Sequence, residues 1–335
     1  MARPKNKEEY RAELAETFAN VLEEKGLAWK QEWGGSGHGA PQNGVTKACY
    51  RGSNAFWLSL VAMMKGYDDS RWVTMVQIMD RDKTYHPKEK WHLKAGSEAS
   101  YVEYWYPFDL KNKRALTWTQ YEAELKNGRL ETEFRLSTRY TAVFNACEVE
   151  GMPKQETSTN PEIKPDELIQ KLSLSMGVEI IHDGGSEAYY APAQDKIHLP
   201  LPGAFFSEYA YNATALHELA HSTGHASRLH RPIGGRFGSQ EYAYEELVAE
   251  MCSCFSGVNL VTEAAPEHLE NHRAYVQSWI RGIREKPETL LKAIKDAQTA
   301  ACYMDWKAGL ITEPEYKKVV GAMRVVKQRE RELER

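Results

Sequence analysis

His217-Glu218-Leu219-Ala220-His221 decides how the C-terminal half of this 335-residue chain is read. Residues four apart on an α-helix differ by only about 40° in direction, so both histidines project from one face and can bind one metal ion together. Glu218 stands beside the first of them. Zinc held by imidazoles lowers the pKa of a bound water toward ~7, and a neighbouring carboxylate can take its proton and pass it to a leaving amine. The stretch therefore reads as a zinc-dependent hydrolase site, most naturally a peptidase, with Glu218 as general base. A chance match on an ordinary helix is the competing reading. It loses weight because Ala215-Leu216 and Leu219-Ala220 flank the motif with apolar residues and strands precede the helix.

A catalytic zinc has three protein ligands and an open position. The HExxHxxGxxH arrangement would take its third ligand from position 227; Gly224 fits, but that position is Ser227 and His225 falls two residues early. A glutamate from a following helix is the alternative, and Tyr244-Glu245-Glu246-Leu247-Val248-Ala249-Glu250 offers one. Glu246 and Glu250 share a helical face. Glu246 is expected as the third ligand and Glu250 as the acceptor behind a ligand histidine, with Glu245 the fallback ligand. His225 and His230 read as structural more readily than functional. The run Tyr189-Tyr190-Ala191-Pro192-Ala193-Gln194-Asp195 fits two readings equally: an edge that aligns an extended peptide, or a core aromatic pair on a hairpin.

Working outward, the spacing predicts a helix over 166–176, strands at 178–182 and 196–199, a turn at Asp183-Gly184-Gly185, and helices over 209–222, 245–255 and 273–306. A small sheet followed by helices is an α+β peptidase domain, placed at 166–312 and followed by a charged helical tail at 313–335. Gly151 to Pro165 has Pro, Thr and charged residues without apolar periodicity, and is taken as a linker. Residues 1–150 open with an amphipathic helix over 8–25 stopped by Gly26. A second helix over 54–65 follows, and then strands within 91–109 and 139–149. The whole is expected to be α+β in two domains.

A formal net charge of −4 gives no global attraction to nucleic acid, so any such binding has to be local. No run approaches ~18 apolar residues, and Met1 to Arg11 is polar, which predicts a cytoplasmic chain without a membrane span. The five cysteines include no CxxC pair and read as free thiols. Seven of the nine tryptophans, Trp29, Trp33, Trp57, Trp72, Trp91, Trp105 and Trp118, precede Gly151. Between Arg81 and Lys94, Lys83, Lys88, Lys90 and Lys94 interleave with Tyr85, His86, Trp91 and His92, a mixture of cations and stacking rings suited to single-stranded nucleic acid.

The chain as a whole resembles the ArdC antirestriction family. In the first half the resemblance rests on Trp29-Lys30, Pro41-Gln42-Asn43, Tyr50-Arg51-Gly52-Ser53-Asn54, Gly66-Tyr67, Ser70-Arg71-Trp72-Val73-Thr74 and Tyr140 to Asn145. In the second it rests on Tyr189-Tyr190 with Pro192 and Asp195, His217 to His221 with Thr223-Gly224-His225, and Glu245 to Glu250. The resemblance implies an N-terminal single-stranded DNA-binding domain, a C-terminal zincin-like metallopeptidase domain with Zn2+, and protection of a mobile element from host restriction. It adds Arg51, Asn54 and Trp72 to Lys83, Lys88, Lys90, Trp91 and Lys94 as nucleic-acid contacts. Two departures stand out: Asp82 to Lys90 replaces a glycine-rich basic run, and Lys111 to Glu133 is a longer insertion. The expected partners are single-stranded DNA and a protein or peptide substrate. A DNA-coating protein whose zinc site is structural is the alternative function.

Overall fold

Alternating apolar residues in the first half assemble a five-stranded sheet. In a computed structural model of the chain, the described residues are 4, 6–26, 40–84, 90–155, 165–205, 207–233, 239–256, 273–317 and 319–320. The first half runs α1 (Lys7–Lys25), β1 (Gln42–Asn43), α2 (Gly52–Lys65), β2 (Arg71–Thr74), α3 (Met75–Thr84), β3 (His92–Leu93), β4 (Ser100–Asp109), β5 (Arg114–Ala115), α4 (Trp118–Lys126), β6 (Phe134–Asn145) and β7 (Val149–Glu150). β4 and β6 pair antiparallel from Ser100 opposite Val143 to Asp109 opposite Phe134. The sheet order is β1-β2-β6-β4-β5, and β3 pairs separately with β7.

The helix expected at 8–25 is α1. The Asn6 side chain accepts from the Glu9 N–H at 2.8 Å, and Gly26 ends the helix with φ 55°. The insertion from Lys111 to Glu133 folds as β5, α4 and a 3-10 turn round Leu116, Tyr121 and Phe134. At its root Asp109, fully buried, accepts from Arg129 Nη1 at 2.6 Å and from the Lys111 and Asn112 N–H groups at 3.0 Å.

The second half runs α5 (Pro165–Met176), β8 (Glu179–His182), β9 (Tyr189–Ala191), β10 (Lys196–Leu199), α6 (Glu208–Ser222), α7 (Gln240–Phe255), α8 (Arg273–Glu285) and α9 (Glu288–Ala308). β10 lies between a parallel β8 and an antiparallel β9, which leaves β9 on an edge. The single helix expected over 273–306 is two, because Pro287 lacks the N–H and its ring blocks continuation.

One apolar cluster continues through both halves. It joins Phe18, Phe56 and Trp57 to Leu172, Leu219, Leu247 and Ile294. α1 packs on α8, where Arg284 Nη2 reaches Glu23 at 2.9 Å and Glu16 at 3.2 Å, and α2 packs on α9. The Gly52 N–H donates to Gln298 Oε1 at 2.6 Å. The halves separated in sequence thus share a core. Trp29, Trp33, the glycine run at 34–39, most of the linker (156–164) and the end of the tail (321–335) lie outside the described residues. Among the described residues, no helix is long and apolar enough to cross a membrane.

Candidate metal centre

Helix α6 starts at a serine cap: Ser207 Oγ accepts from the Ala210 N–H at 3.1 Å. Its apolar stripe buries Ala215, Leu219 and Ala220, which anchors the helix, and α6 packs on α7, β9 and β10. Helix α7 begins the same way, with Ser239 Oγ accepting from the Tyr242 N–H at 3.2 Å. Two capped, packed helices therefore hold the histidines and the glutamates face to face.

His217 Nε2 lies 3.1 Å from His221 Nε2 and 3.4 Å from Glu246 Oε2, and His221 Nε2 lies 3.5 Å from Glu246 Oε1. These three residues are a group able to hold one metal ion. Nitrogen and oxygen ligands about 2.0–2.1 Å from a tetrahedral zinc stand roughly 3.3 Å from one another, so the spacing fits the donor set. The remaining ring nitrogens face carboxylates: His221 Nδ1 is 3.3 Å from Glu245 Oε1, and His217 Nδ1 is 3.7 Å from Glu250 Oε1. The His221–Glu245 hydrogen bond favours the tautomer that leaves Nε2 able to coordinate, while Glu250 faces His217 only at ion-pair distance. Glu245, the fallback ligand, lies behind His221 rather than beside Glu246. Glu218 is 6% exposed and close enough to His221 to favour that ring's protonated form.

Burial works against charge on His221, but Glu245 and Glu246 overcome it and hold its pKa up at about 10. His217 is raised in the same way, burial opposing and Glu246 and Glu250 prevailing. Burial would raise the Glu246 carboxyl, yet hydrogen bonds to both histidines take it well below the usual carboxylate range. The ligand set is thus a concentrated negative pocket that favours a cation between the rings.

Sequence reasoning missed what supports this pocket. Arg231, its side chain 7% exposed, donates from Nε to Glu245 Oε2 at 3.3 Å and from Nη1 to Thr223 Oγ1 at 2.6 Å. Its return past α6 requires Gly224, where a Cβ would sit 2.5 Å from Ile233 Cγ2 and 3.3 Å from Arg231 Nη2. Arg228 ties the same loop to the sheet: Nε donates to the Ser222 carbonyl at 2.6 Å, Nη1 to Asp195 Oδ2 at 3.0 Å and Nη2 to the Tyr190 hydroxyl at 3.1 Å. The signal for both was a carboxylate that needs a cation, buried in Glu245 and half-buried in Asp195. Tyr242, one turn before Glu246, also hydrogen-bonds it; burial chiefly, then Glu246, pushes its phenol up. His225 Nδ1 pairs with Ser227 Oγ at 2.8 Å, a local structural contact.

In the Tyr189–Asp195 run, Tyr190 is buried and donates to Asp195 Oδ1 at 2.7 Å, so it is a core aromatic. Tyr189 is 45% exposed on the edge strand and stacks on His198 at 4.7 Å.

Among the described residues the expected nucleic-acid contacts differ in exposure. Trp72 is 1% exposed, so its ring packs in the core and offers no face to a base. Asn54 gives both ends of its amide to the Glu103 backbone, Nδ2 to O and Oδ1 from N, each at 2.8 Å. It fastens β4 to α2. Arg51, Lys90 and Lys94 are exposed, and Trp91 is half-buried with the Arg81 guanidinium 5.6 Å from its ring centre. The Lys83 side chain and Lys88 lie outside the described residues.

Comparison with known proteins matches residues 8–144 to the N-terminal domain of anti-restriction factor ArdC and residues 167–296 to a zincin-like metallopeptidase. The uncharacterized protein y4eC of Sinorhizobium fredii is 32% identical over 88% of this chain and 89% of its own length. A DNA primase TraC of Escherichia coli is 31% identical over 87% of this chain, which spans only 19% of that protein. The metal-free crystal structure of the antirestriction protein ArdC from plasmid R388 superposes with a TM-score of 0.66 at 25% identity, covering 90% of this chain and 99% of that one. Its Mn(II)-bound form gives the same TM-score. The zincin-like fold implies a divalent metal. With both domain types in the same order and a fold shared nearly end to end, the chain belongs to the ArdC antirestriction family.

Proposed function

We propose that this chain is an antirestriction protein of a mobile element that binds single-stranded DNA and carries a zinc metallopeptidase site. His217, His221 and Glu246 would hold the ion, with Glu250 and Glu245 behind the two histidines. The observation that carries this is the convergence of two imidazole Nε2 atoms and one carboxylate at 3.1–3.5 Å, each Nδ1 facing a further carboxylate. A bound divalent ion supplies Lewis acidity, polarising a carbonyl and acidifying water. The chain's own residues do the rest. Glu218 takes a proton from the attacking water and delivers it to the leaving amine. The edge strand β9, beside α6, is the place for an extended peptide to add as a further strand.

Family membership and the relatives' names support the DNA and antirestriction parts of this reading; the zinc, the peptide substrate and the roles of individual residues rest on the geometry. The test is metal content and casein hydrolysis in three proteins: wild type, Glu218→Gln, and His217→Ala combined with His221→Ala. Near-stoichiometric zinc is expected in the first two and none in the third, with hydrolysis in wild type alone. Undiminished zinc in the double variant would sink the assignment. Protection against restriction that survives Glu218→Gln intact would favour DNA coating over peptide hydrolysis.

A further inference from the structure

Strands β4 and β6 form a ribbon with a face that the metal centre does not use. Side chains alternate along a strand, so Tyr104, Tyr106 and Phe108 fall on one face of β4, and the register sets Arg139, Ser137 and Arg135 of β6 opposite them. The arginines lie over the rings. The Arg139 guanidinium carbon is 4.6 Å from the centre of Tyr104 and 5.9 Å from that of Tyr106, and the Arg135 carbon is 4.8 Å from the centre of Phe108. Both arginines are exposed, and Tyr104 is 40% exposed.

Among the described residues neither arginine meets a carboxylate. Glu103, the acid of β4 next to Tyr104, alternates to the other face, where it accepts from the Tyr140 hydroxyl at 3.0 Å and Trp105 Nε1 at 2.8 Å. In a chain of net charge −4 this is a local, uncompensated cationic and aromatic face. Its chemistry matches unpaired nucleotides. A base stacks on a ring or a guanidinium plane, while the guanidinium edge donates to a phosphate. Same-face side chains repeat every ~6.8 Å along a strand, twice the ~3.4 Å rise per base in a duplex, so stacked bases can follow successive rings. A duplex hides its base faces and would leave the rings unused.

We propose that single-stranded DNA lies along the β4–β6 face, its bases on Tyr104, Tyr106 and Phe108 and its phosphates on Arg135 and Arg139. This deepens the DNA-binding reading above and rests on it. It also moves the principal contact away from the Arg81–Lys94 run.

The test follows the full chain binding a fluorescein-labelled oligothymidylate by anisotropy across a salt series. Arg135→Gln with Arg139→Gln weakens binding by about tenfold or more and lowers the slope of log K against log salt by about 1.4, two phosphates at about 0.7 each. Tyr104→Ala weakens it by at least about fivefold with the slope unchanged, and Tyr104→Phe keeps wild-type affinity. If these variants bind like wild type while Lys83→Ala, Lys88→Ala, Lys90→Ala and Lys94→Ala together abolish binding, the chain binds DNA but not on this face. If the wild-type chain binds no oligothymidylate, the DNA-binding reading itself falls and takes this one with it. A face that retains an oligoglutamate peptide and not the oligonucleotide belongs to an acidic protein partner, which also overturns the proposal. Photocrosslinking of the unaltered protein to a bromodeoxyuridine oligonucleotide decides independently of any variant's folding. Adducts on Tyr104, Tyr106 or Phe108 carry the proposal, and adducts confined to other residues refute it.

Discussion

Replacing Glu245 by glutamine tests whether the site proposed above divides its work between a supporting glutamate, Glu245, and an ion-binding one, Glu246. The side chains of Glu245 and Arg231 are 8% and 7% exposed, and the carboxylate meets the guanidinium through two contacts, Nε to Oε2 at 3.3 Å and Nη2 to Oε1. Burial raises the Glu245 carboxyl, but His221 and Arg231 bring it below its ordinary value, so it enters as an anion. Removing one member of such a pair leaves an uncompensated buried charge, at about 3–5 kcal/mol. Glu245→Gln and Arg231→Met should each destabilise the metal-free protein by roughly that amount. The double variant should lose far less than the sum, with a coupling of about 2–3 kcal/mol. Urea unfolding in the presence of a chelator measures all four corners of the cycle. Metal titration of Glu245→Gln should show affinity down by about 10–100-fold, the usual effect of losing a partner behind a ligand histidine. Additive destabilisation, or complete loss of metal in Glu245→Gln with normal binding in Glu246→Gln, would refute the division of labour between the two glutamates.

Three further outcomes follow from the geometry. Trp72→Ala should destabilise the fold by about 3–5 kcal/mol in thermal unfolding, as truncation of a buried indole does, while the folded variant binds oligothymidylate like wild type. Asn54→Ala strands the Glu103 backbone N–H and C=O and should lower stability by about 1–3 kcal/mol, with amide exchange in β4 accelerated around Glu103. Burial raises the Asp195 carboxyl, but Arg228 and Tyr190 more than offset it, so its folded pKa is depressed. The stability it contributes is present above the unfolded value of about 3.9 and lost as pH falls through the folded one, so Asp195→Asn should flatten the acid limb of a stability–pH curve below about pH 4.

The grouping of His217, His221 and Glu246 was legible in the sequence because its geometry is local. Helical spacing alone puts His217 with His221 and Glu246 with Glu250, and the structure packs those two faces together. The break at Pro287 was missed, because apolar periodicity on both sides concealed it. What lay beyond local spacing was read less well. Arg228 and Arg231 act on carboxylates that come from the β9–β10 turn and from α7, and no pattern in their own neighbourhood reveals it. Trp72 was taken for a DNA contact from the resemblance, and neither a motif match nor tryptophan density tells of burial; its neighbours Arg71 and Val73 are buried as well. The Tyr104–Arg139 pair depends on strand register, which joins distant segments, so the aromatic and cationic face stayed invisible while the contiguous Arg81–Lys94 run drew attention.

The central claim is that His217, His221 and Glu246 hold one divalent ion. Anomalous diffraction at the zinc edge from crystals of the zinc-loaded protein tests it most directly. One strong peak is expected between α6 and α7, about 2.0–2.2 Å from both Nε2 atoms and a Glu246 oxygen. A peak bonded to Glu245 instead, or none between the two helices at full zinc loading, would contradict it.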